Sequence, residues 1–540
     1  MSTAATALPP LAAPTRTGTN KWLVTVSVSF GTLMGAIDLS IVNVALPQIR
    51  GAVGATVQEV TWITTGFVIA TVVVMPLTAF LGRFFGQKRV YLASLALFIA
   101  ASALCGAARS LEALVLYRVL QGFGAGALQP TEQAILRQTF PPEEHGMAMA
   151  LFGMAVLIGP AVGPTLGGYI VDHYHWSWIF FINLPLGVLG FMMVWRFVQE
   201  PDDIRAANRV AAEEQKKNVD WQGIAIMTVG LAMLEYVLEE GQRNDWFESQ
   251  VITVGAIVSF VALAAFVWRE LTAPAPAVNL RLFKDPVFTS ATLMTGVVFA
   301  MLIASQFLLP IFMQELLGFT AMQSGLALLP RVALMLVVTP IVGRLYNRVS
   351  PGLLVAVGLV SAAVGTLLLG DVTLRTTSGT ILLPLAVQGI GFGFLFVPLL
   401  TVALTNVPRA RATEATGLNS LVRQIGASVG LAVFATLLAR YQVHARHGLI
   451  AHLAPENPLV SQRLAVLQAG LVTRGGFDVT TAKQGAVAAL NLQVAQQAAV
   501  LAFEKVFLFL GLCFVAVLPL LFFLNARRPR GEPQHVEMEL

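Results

Sequence analysis

The chain has 540 residues, 56% of them hydrophobic and 12% charged, with a mean hydropathy of +0.74 and a formal net charge of +5. A water-soluble fold of this size could not cover so much apolar surface, which leaves lipid as the solvent. The basic residues are scattered between apolar runs, which argues against a nucleic-acid partner, and the two cysteines, Cys105 and Cys513, lie in apolar runs that exclude a disulfide framework or a thiolate metal centre.

Residues 1–20 form a Pro/Ala/Thr tail without the basic, apolar and cleavage regions of a removable signal peptide. Beyond it, apolar runs near the ~20 residues that cross a hydrocarbon core of ~30 Å recur along the chain. They predict fourteen spans, over 22–46, 58–82, 88–108, 112–138, 146–171, 177–197, 220–241, 249–269, 286–313, 322–345, 351–370, 380–404, 415–440 and 504–525, and so an all-α polytopic membrane protein. Lys21, Lys88, Arg89, Arg205, Lys217, Arg281, Arg348, Arg409 and Arg527 fall in connections on one side. The short loops of the other side hold only Arg50, Arg109, Arg243 and Arg375. The basic side is expected to be cytoplasmic, and with it both termini.

Gln121-Gly-Phe-Gly-Ala-Gly-Ala-Leu128 recurs as Gln388-Gly-Ile-Gly-Phe-Gly-Phe-Leu395, 267 residues on. Pro76-Leu-Thr-Ala-Phe-Leu81 recurs as Pro340-Ile-Val-Gly-Arg-Leu345, 264 residues on. Two matches at nearly one offset predict two pseudo-symmetric six-helix bundles, 22–197 and 286–525. A linker and two inserted spans (198–285) lie between them, and tails of 1–21 and 526–540 flank them. Doubled bundles of this kind place a binding site near the midplane, between the halves. The long connection 441–503 is expected on the non-cytoplasmic side as an extension ahead of the last span. It contains helix-like stretches at 458–472 and 480–497, separated by Gly475-Gly476. Its His444, His447 and His452 have no carboxylate or thiol nearby, which argues against a metal site.

Asp38 lies within the first predicted span. A carboxylate at mid-helix costs ~2.5–3.5 kcal/mol on insertion scales and usually has a functional reason to be there. Arg118, in the fourth span, is its natural partner: counted at ~1.5 Å per residue, the two reach similar depths from opposite sides. Glu132 lies fourteen residues beyond Arg118 and Gln129 shares its stripe, so all three are expected on one helix face. Glu132 has three open readings, namely a cationic-substrate contact, a second proton site, or a carboxylate reaching water at the rim.

The fifth span carries Gly153, Gly159, Pro160, Gly163, Pro164, Gly167 and Gly168, a density suited to close helix approach in a membrane. Its GPAVGPTLGG run closely resembles the motif of proton-coupled exporters of the major facilitator superfamily. The following WSWIFFINLPLG is similar to a run in the 14-helix drug:proton antiporter (EmrB/QacA) branch, with Ser177 where arginine is common. GAIDLSIVNVALP, LYRVLQGFGAG and TEATGLNSLVRQIGASVG resemble further motifs of that branch, and the whole is most similar to EmrB-type multidrug exporters.

The resemblance implies a non-enzymatic transporter of the bacterial inner membrane that exports lipophilic compounds in exchange for protons. It would need no cofactor beyond the proton gradient, and would act with a periplasmic adaptor (an EmrA-type membrane fusion protein) and an outer-membrane channel. Asp38, Arg118 and Glu132 would couple protons. Asp38, Gln129, Glu132, Gln306, Asn419 and Arg423 would line the substrate cavity. Arg423 has two open readings, one as a support for backbone carbonyls and one as a contact for an anionic group. LGRFFGQKRV resembles the superfamily's gate loop through Gly86, Lys88 and Arg89, but Arg83 stands where aspartate is usual and Ala79 replaces the first glycine. A proton-coupled uptake permease and a non-transporting sensor or assembly protein are the alternatives of the same fold class.

Overall fold

The computed structural model describes residues 20–216, 219–273, 276–453 and 457–524; Lys217 and Arg527, the tails 1–19 and 525–540, and the side chain of Pro160 lie outside the described set. All regular elements within it are helical, and fourteen helices are long and apolar enough to cross a bilayer. The first six are α1 (Lys21–Val53), α2 (Val57–Phe85), α3 (Gln87–Gly106), α4 (Leu111–Thr139), α5 (His145–His173) and α6 (Trp178–Phe197). A surface helix, α7 (Asp202–Lys216), leads to the pair α8 (Trp221–Glu240) and α9 (Gln250–Thr272). Then follow α10 (Pro286–Ile311), α11 (Ala321–Leu345), α12 (Pro351–Leu367), α13 (Ser378–Ala403) and α14 (Ala412–Ala451). Finally, α15 (Pro458–Gly475) precedes α16 (Val479–Val517).

Polar caps set many of the helix starts. Ser110, Asp220 and Asp285 accept from the first free backbone N–H groups of α4, α8 and α10, and Thr320 with Gln323 forms a capping box on α11. Gly86 separates α2 from α3 at φ +84°, a left-handed conformation that favours glycine.

The packing repeats as the sequence does. α1 packs on α5 as α10 packs on α14, α3 on α4 as α12 on α13, and α2 on α4 as α11 on α13. The halves meet along α5–α11 and where α14 crosses α2 and α4. Glycine makes the α1–α5 contact possible: a Cβ on Gly159 would lie 2.3 Å from the Ala36 Cβ, and one on Gly163 only 1.8 Å from Ser40 Oγ. Gly426 and Gly430, each 267 residues later, meet the carbonyls of Gly296 and Ala300 in the same way, at 2.2 Å. Gly167 continues the first stripe against Ile41, whereas Gly168 faces open space.

The inserted α8 lies against α2 of the first half and α14 of the second, and α9 packs on α8. α9 turns Phe260 and Trp268 outward, 76% and 70% exposed, as a lipid-facing helix does. The 441–503 region is largely helical. α14 runs unbroken for 40 residues and α16 for 39, about twice the length a ~30 Å core needs, and α15 packs on α16 between them. Hydropathy marks where the hydrocarbon ends; the Ala, Leu, Gln and Arg residues beyond it continue the helix.

Candidate functional site

Asp38 of α1 and Arg118 of α4 are both fully buried, and Arg118 Nη1 donates to Asp38 Oδ2 at 2.5 Å. Gln121, one turn beyond Arg118, donates from Nε2 to Asp38 Oδ1 at 2.8 Å and accepts from Arg118 Nη1 at 2.7 Å. Asn183 of α6 donates to the same Oδ1 at 3.0 Å, and to Ser102 Oγ at 3.0 Å. Arg118 Nε reaches the Ile63 carbonyl of α2 at 3.0 Å, and the guanidinium lies 4.1 Å from the Phe67 ring centroid. The carboxylate accepts from Arg118, Gln121 and Asn183, and the residues of the cluster come from five helices. Arg118 Nη2 and Asn183 Oδ1 are buried without partners among the described residues, a spare donor and a spare acceptor beside the pair. Removing one member of a buried pair typically costs about 3–5 kcal/mol, because the other is left uncompensated.

The second half holds a related cluster without the acid. Ser305, 267 residues after Asp38, donates to Gln388 Oε1 at 3.3 Å; Arg331 Nη1 donates to the same oxygen at 3.2 Å, and Gln388 Nε2 to Thr366 at 2.9 Å. Gln306, the residue singled out in the sequence, is half-buried beside this cluster; its neighbour Ser305 makes the contacts.

Glu132 is fully buried between α4 and α1, where Ser29 Oγ donates to it at 3.1 Å and the Thr32 hydroxyl makes a short bond. It therefore does not reach water at a rim. Gln129 faces the other half and accepts from Arg423 Nη2 of α14. The Arg423 guanidinium lies 5.6 Å from the Phe152 centroid and 5.2 Å from that of Phe299, one ring from each half, and its Nη1 is buried without a partner. Asn419 points within the second half, to Thr292 at 3.3 Å.

On the side where α1 begins, polar bonds tie the halves together. Arg83 pairs with Glu414 at 3.3 Å, Gln87 donates to Thr413 at 2.7 Å, Arg137 to the Val407 carbonyl at 2.8 Å, and Asn347 to the Glu143 carbonyl. Lys88 donates to the Trp195 carbonyl within the first half and Arg89 is exposed, whereas Arg83 and Gln87 cross to the second half. Gly86 only terminates α2.

The Major Facilitator Superfamily model matches residues 28–431. The chain belongs to the major facilitator superfamily. It is 32% identical over 498 residues to the fatty acid resistance protein FarB of Neisseria gonorrhoeae, covering 92% of this chain and 94% of that one. It is 34% identical over 441 residues to the multidrug export protein EmrB of Haemophilus influenzae, covering 81% and 84%. The solved structure of the proton:xylose symporter XylE superposes with a TM-score of 0.57 at 12% identity, over 92% of this chain and 96% of that chain, a likeness of fold alone. This major facilitator protein is thus a multi-pass membrane transporter and not an enzyme.

In this major facilitator fold the cluster around Asp38 lies inside the first half, while Gln129 and Arg423 sit between the halves. Sequence reasoning missed Asn183, although it stands in the quoted WSWIFFINLPLG run, and it missed Glu414, the partner of Arg83. An asparagine inside an otherwise apolar run was the available signal for the first.

Proposed function

We propose that this transporter exports hydrophobic or amphipathic compounds in exchange for protons by alternating access, with Asp38 and Arg118 as the coupling pair. The observation that carries the reading is an acid and a guanidinium, both wholly buried, joined at 2.5 Å in a membrane bundle. Breaking that pair would leave an acid that must find another positive charge, and a proton is the available one. Re-forming it would expel the proton, so the carboxylate can carry one proton per cycle. Each charge moved across 100 mV is worth about 2.3 kcal/mol. Glu132, held by two hydroxyls without a cation in ion-pair range among the described residues, is a second proton carrier in this reading.

Several observations support the rest. Relatives at 30% identity or more are named for multidrug export and fatty acid resistance, which favours export of amphipathic molecules. Gln129 and Arg423, with Phe152 and Phe299, form a polar contact flanked by aromatic rings where the halves meet, suited to such a molecule. The basic residues of the loops support a cytoplasmic reading of the side where α1 begins, in a bacterial inner membrane. The Arg83–Glu414 bond then closes the cytoplasmic side and must open for substrate to enter. The hairpin of α14, α15 and α16 would project outward, where an adaptor of a tripartite export system could dock.

Inverted membrane vesicles given a fluorescent drug from outside test the direction and the driving force. Uptake into inverted vesicles under an inside-acid gradient is expected from the native chain and not from Asp38→Asn. Gradient-driven uptake by intact cells instead would favour the permease alternative.

A further inference from the structure

α8 belongs to neither six-helix half, yet it contacts both. Near its far end, Glu235 is fully buried and accepts a short hydrogen bond from Ser428 Oγ on α14, while its Oε2 is buried with no partner among the described residues. One turn on, Glu240 accepts from Thr61 and Thr65 of α2 at 3.2 and 3.3 Å and pairs with Arg243 at 3.1 Å. The inserted helix therefore touches the second half through one carboxylate and the first half through another. They differ in one respect: among the described residues Glu240 has a cation and Glu235 has none.

The charged groups around Glu235 offer it no counter-charge. On α8 itself the neighbours are Tyr236, stacked on Trp62 at 5.6 Å, the half-buried Glu239, and Glu240. On α9 the charged residues are Arg269, bound to Asp220 at the opposite end of α8, and Glu270. On α2, Glu59 is taken up by Thr56, and Arg83 by Glu414. On α14, Arg423 reaches away to Gln129, and Arg440 lies three turns beyond Ser428. A lone carboxylate buried in a membrane bundle is not stably charged without a cation.

We propose that Glu235 is a proton-binding site of the inserted helix pair, loaded when α8 rests against Ser428 and unloaded when α14 moves away and admits water. This rests on the reading of the protein as a proton-driven exporter and adds a site outside both repeated halves. The hydroxyl of Ser428 can donate to the carbonyl oxygen of the protonated acid, and the unpartnered oxygen would carry the proton. Movement of α14, which also carries Glu414 and Arg423, then changes the surroundings of Glu235 directly.

The test uses the full chain in liposomes, with Glu235→Gln keeping the size and the acceptor for Ser428. A pH-step infrared difference spectrum of native protein is expected to contain a protonated-carboxyl C=O band that Glu235→Gln lacks and that Ser428→Ala shifts. With ethidium as the probe and a gradient of one pH unit, Glu235→Gln is expected to lower steady accumulation about tenfold, the worth of one proton at that gradient. Ethidium counterflow at equal pH should stay within about twofold of native, because no proton is then required. An unchanged infrared band together with unchanged accumulation would overturn the proposal. If the native chain itself moves no ethidium under the gradient, proton-driven export falls, and the infrared band alone still decides whether Glu235 takes a proton.

Discussion

Asp38 is held by three donors from two other helices, and the consequences of changing it differ from those of changing its neighbours. Asp38→Asn leaves Arg118 buried without an anion, a loss of about 3–5 kcal/mol unless the arginine finds another partner. Arg118→Gln with Asp38→Asn removes both charges, so the double variant is expected to be more stable than Asp38→Asn alone while remaining inactive in gradient-driven export. Thermal unfolding in detergent and vesicle transport, measured on the same preparations, check both halves of that statement. Asn183→Ala removes one donor to Asp38 and one to Ser102, and is expected to cost about 1–3 kcal/mol with slowed transport. The Asp38–Arg118 pairing was legible in the sequence, because a charge inside an apolar run demands a partner at similar depth. Glu132 was only half legible. Its helix face follows from periodicity, but the hydroxyls of Ser29 and Thr32 that bury it come from another helix.

Helix contacts decide the next level. Gly163→Ala would drive a Cβ into Ser40 Oγ, and the pair α1–α5 can give way only by moving apart. The expected cost is about 1–3 kcal/mol, read as a lower unfolding temperature, and Ser40→Gly in the same chain should recover part of it. Across the halves, Glu414→Arg should weaken the closed side by opposing Arg83, and Arg83→Glu combined with it should restore the bond in reverse. Cysteine labelling of positions along that seam is the readout: faster in the single variant, near native in the double. The start of α16 carries a pH-dependent cap. Bonds from Thr481 and from the backbone N–H of Thr480 hold the Asp478 carboxyl below its ordinary range. Its contribution is present above the ordinary carboxylate range and is lost as the pH falls through the lowered value. Amide exchange at Thr480 and Thr481 is therefore expected to quicken, relative to the intrinsic rate, only in acid.

For the whole molecule, the length of α14 and α16 matters most. Helices of 40 and 39 residues exceed the length a bilayer core requires, and α15 packs on α16. Replacing residues 454–477 with a short glycine–serine turn is expected to leave ethidium transport in liposomes within about twofold of native, since every cross-half contact described above is retained. The same change should abolish capture of a purified EmrA-type adaptor if the hairpin is the docking element. An equal capture by native and shortened chains would place the adaptor elsewhere.

The lipid solvent, the number of spans, the twofold repeat and the buried acid with its arginine were legible before folding, because each depends on residue type and periodicity along the chain. Packing brought out the rest: Arg83 and Gln87 bridge the halves, Asn183 completes the Asp38 cluster, and α8 touches both halves through Glu235 and Glu240. Those are pairings between residues tens to hundreds of positions apart. Side-chain direction on a helix is periodic and can be read from one strand of text, but which helix stands opposite is set by packing, and a single sequence carries no local signal for that.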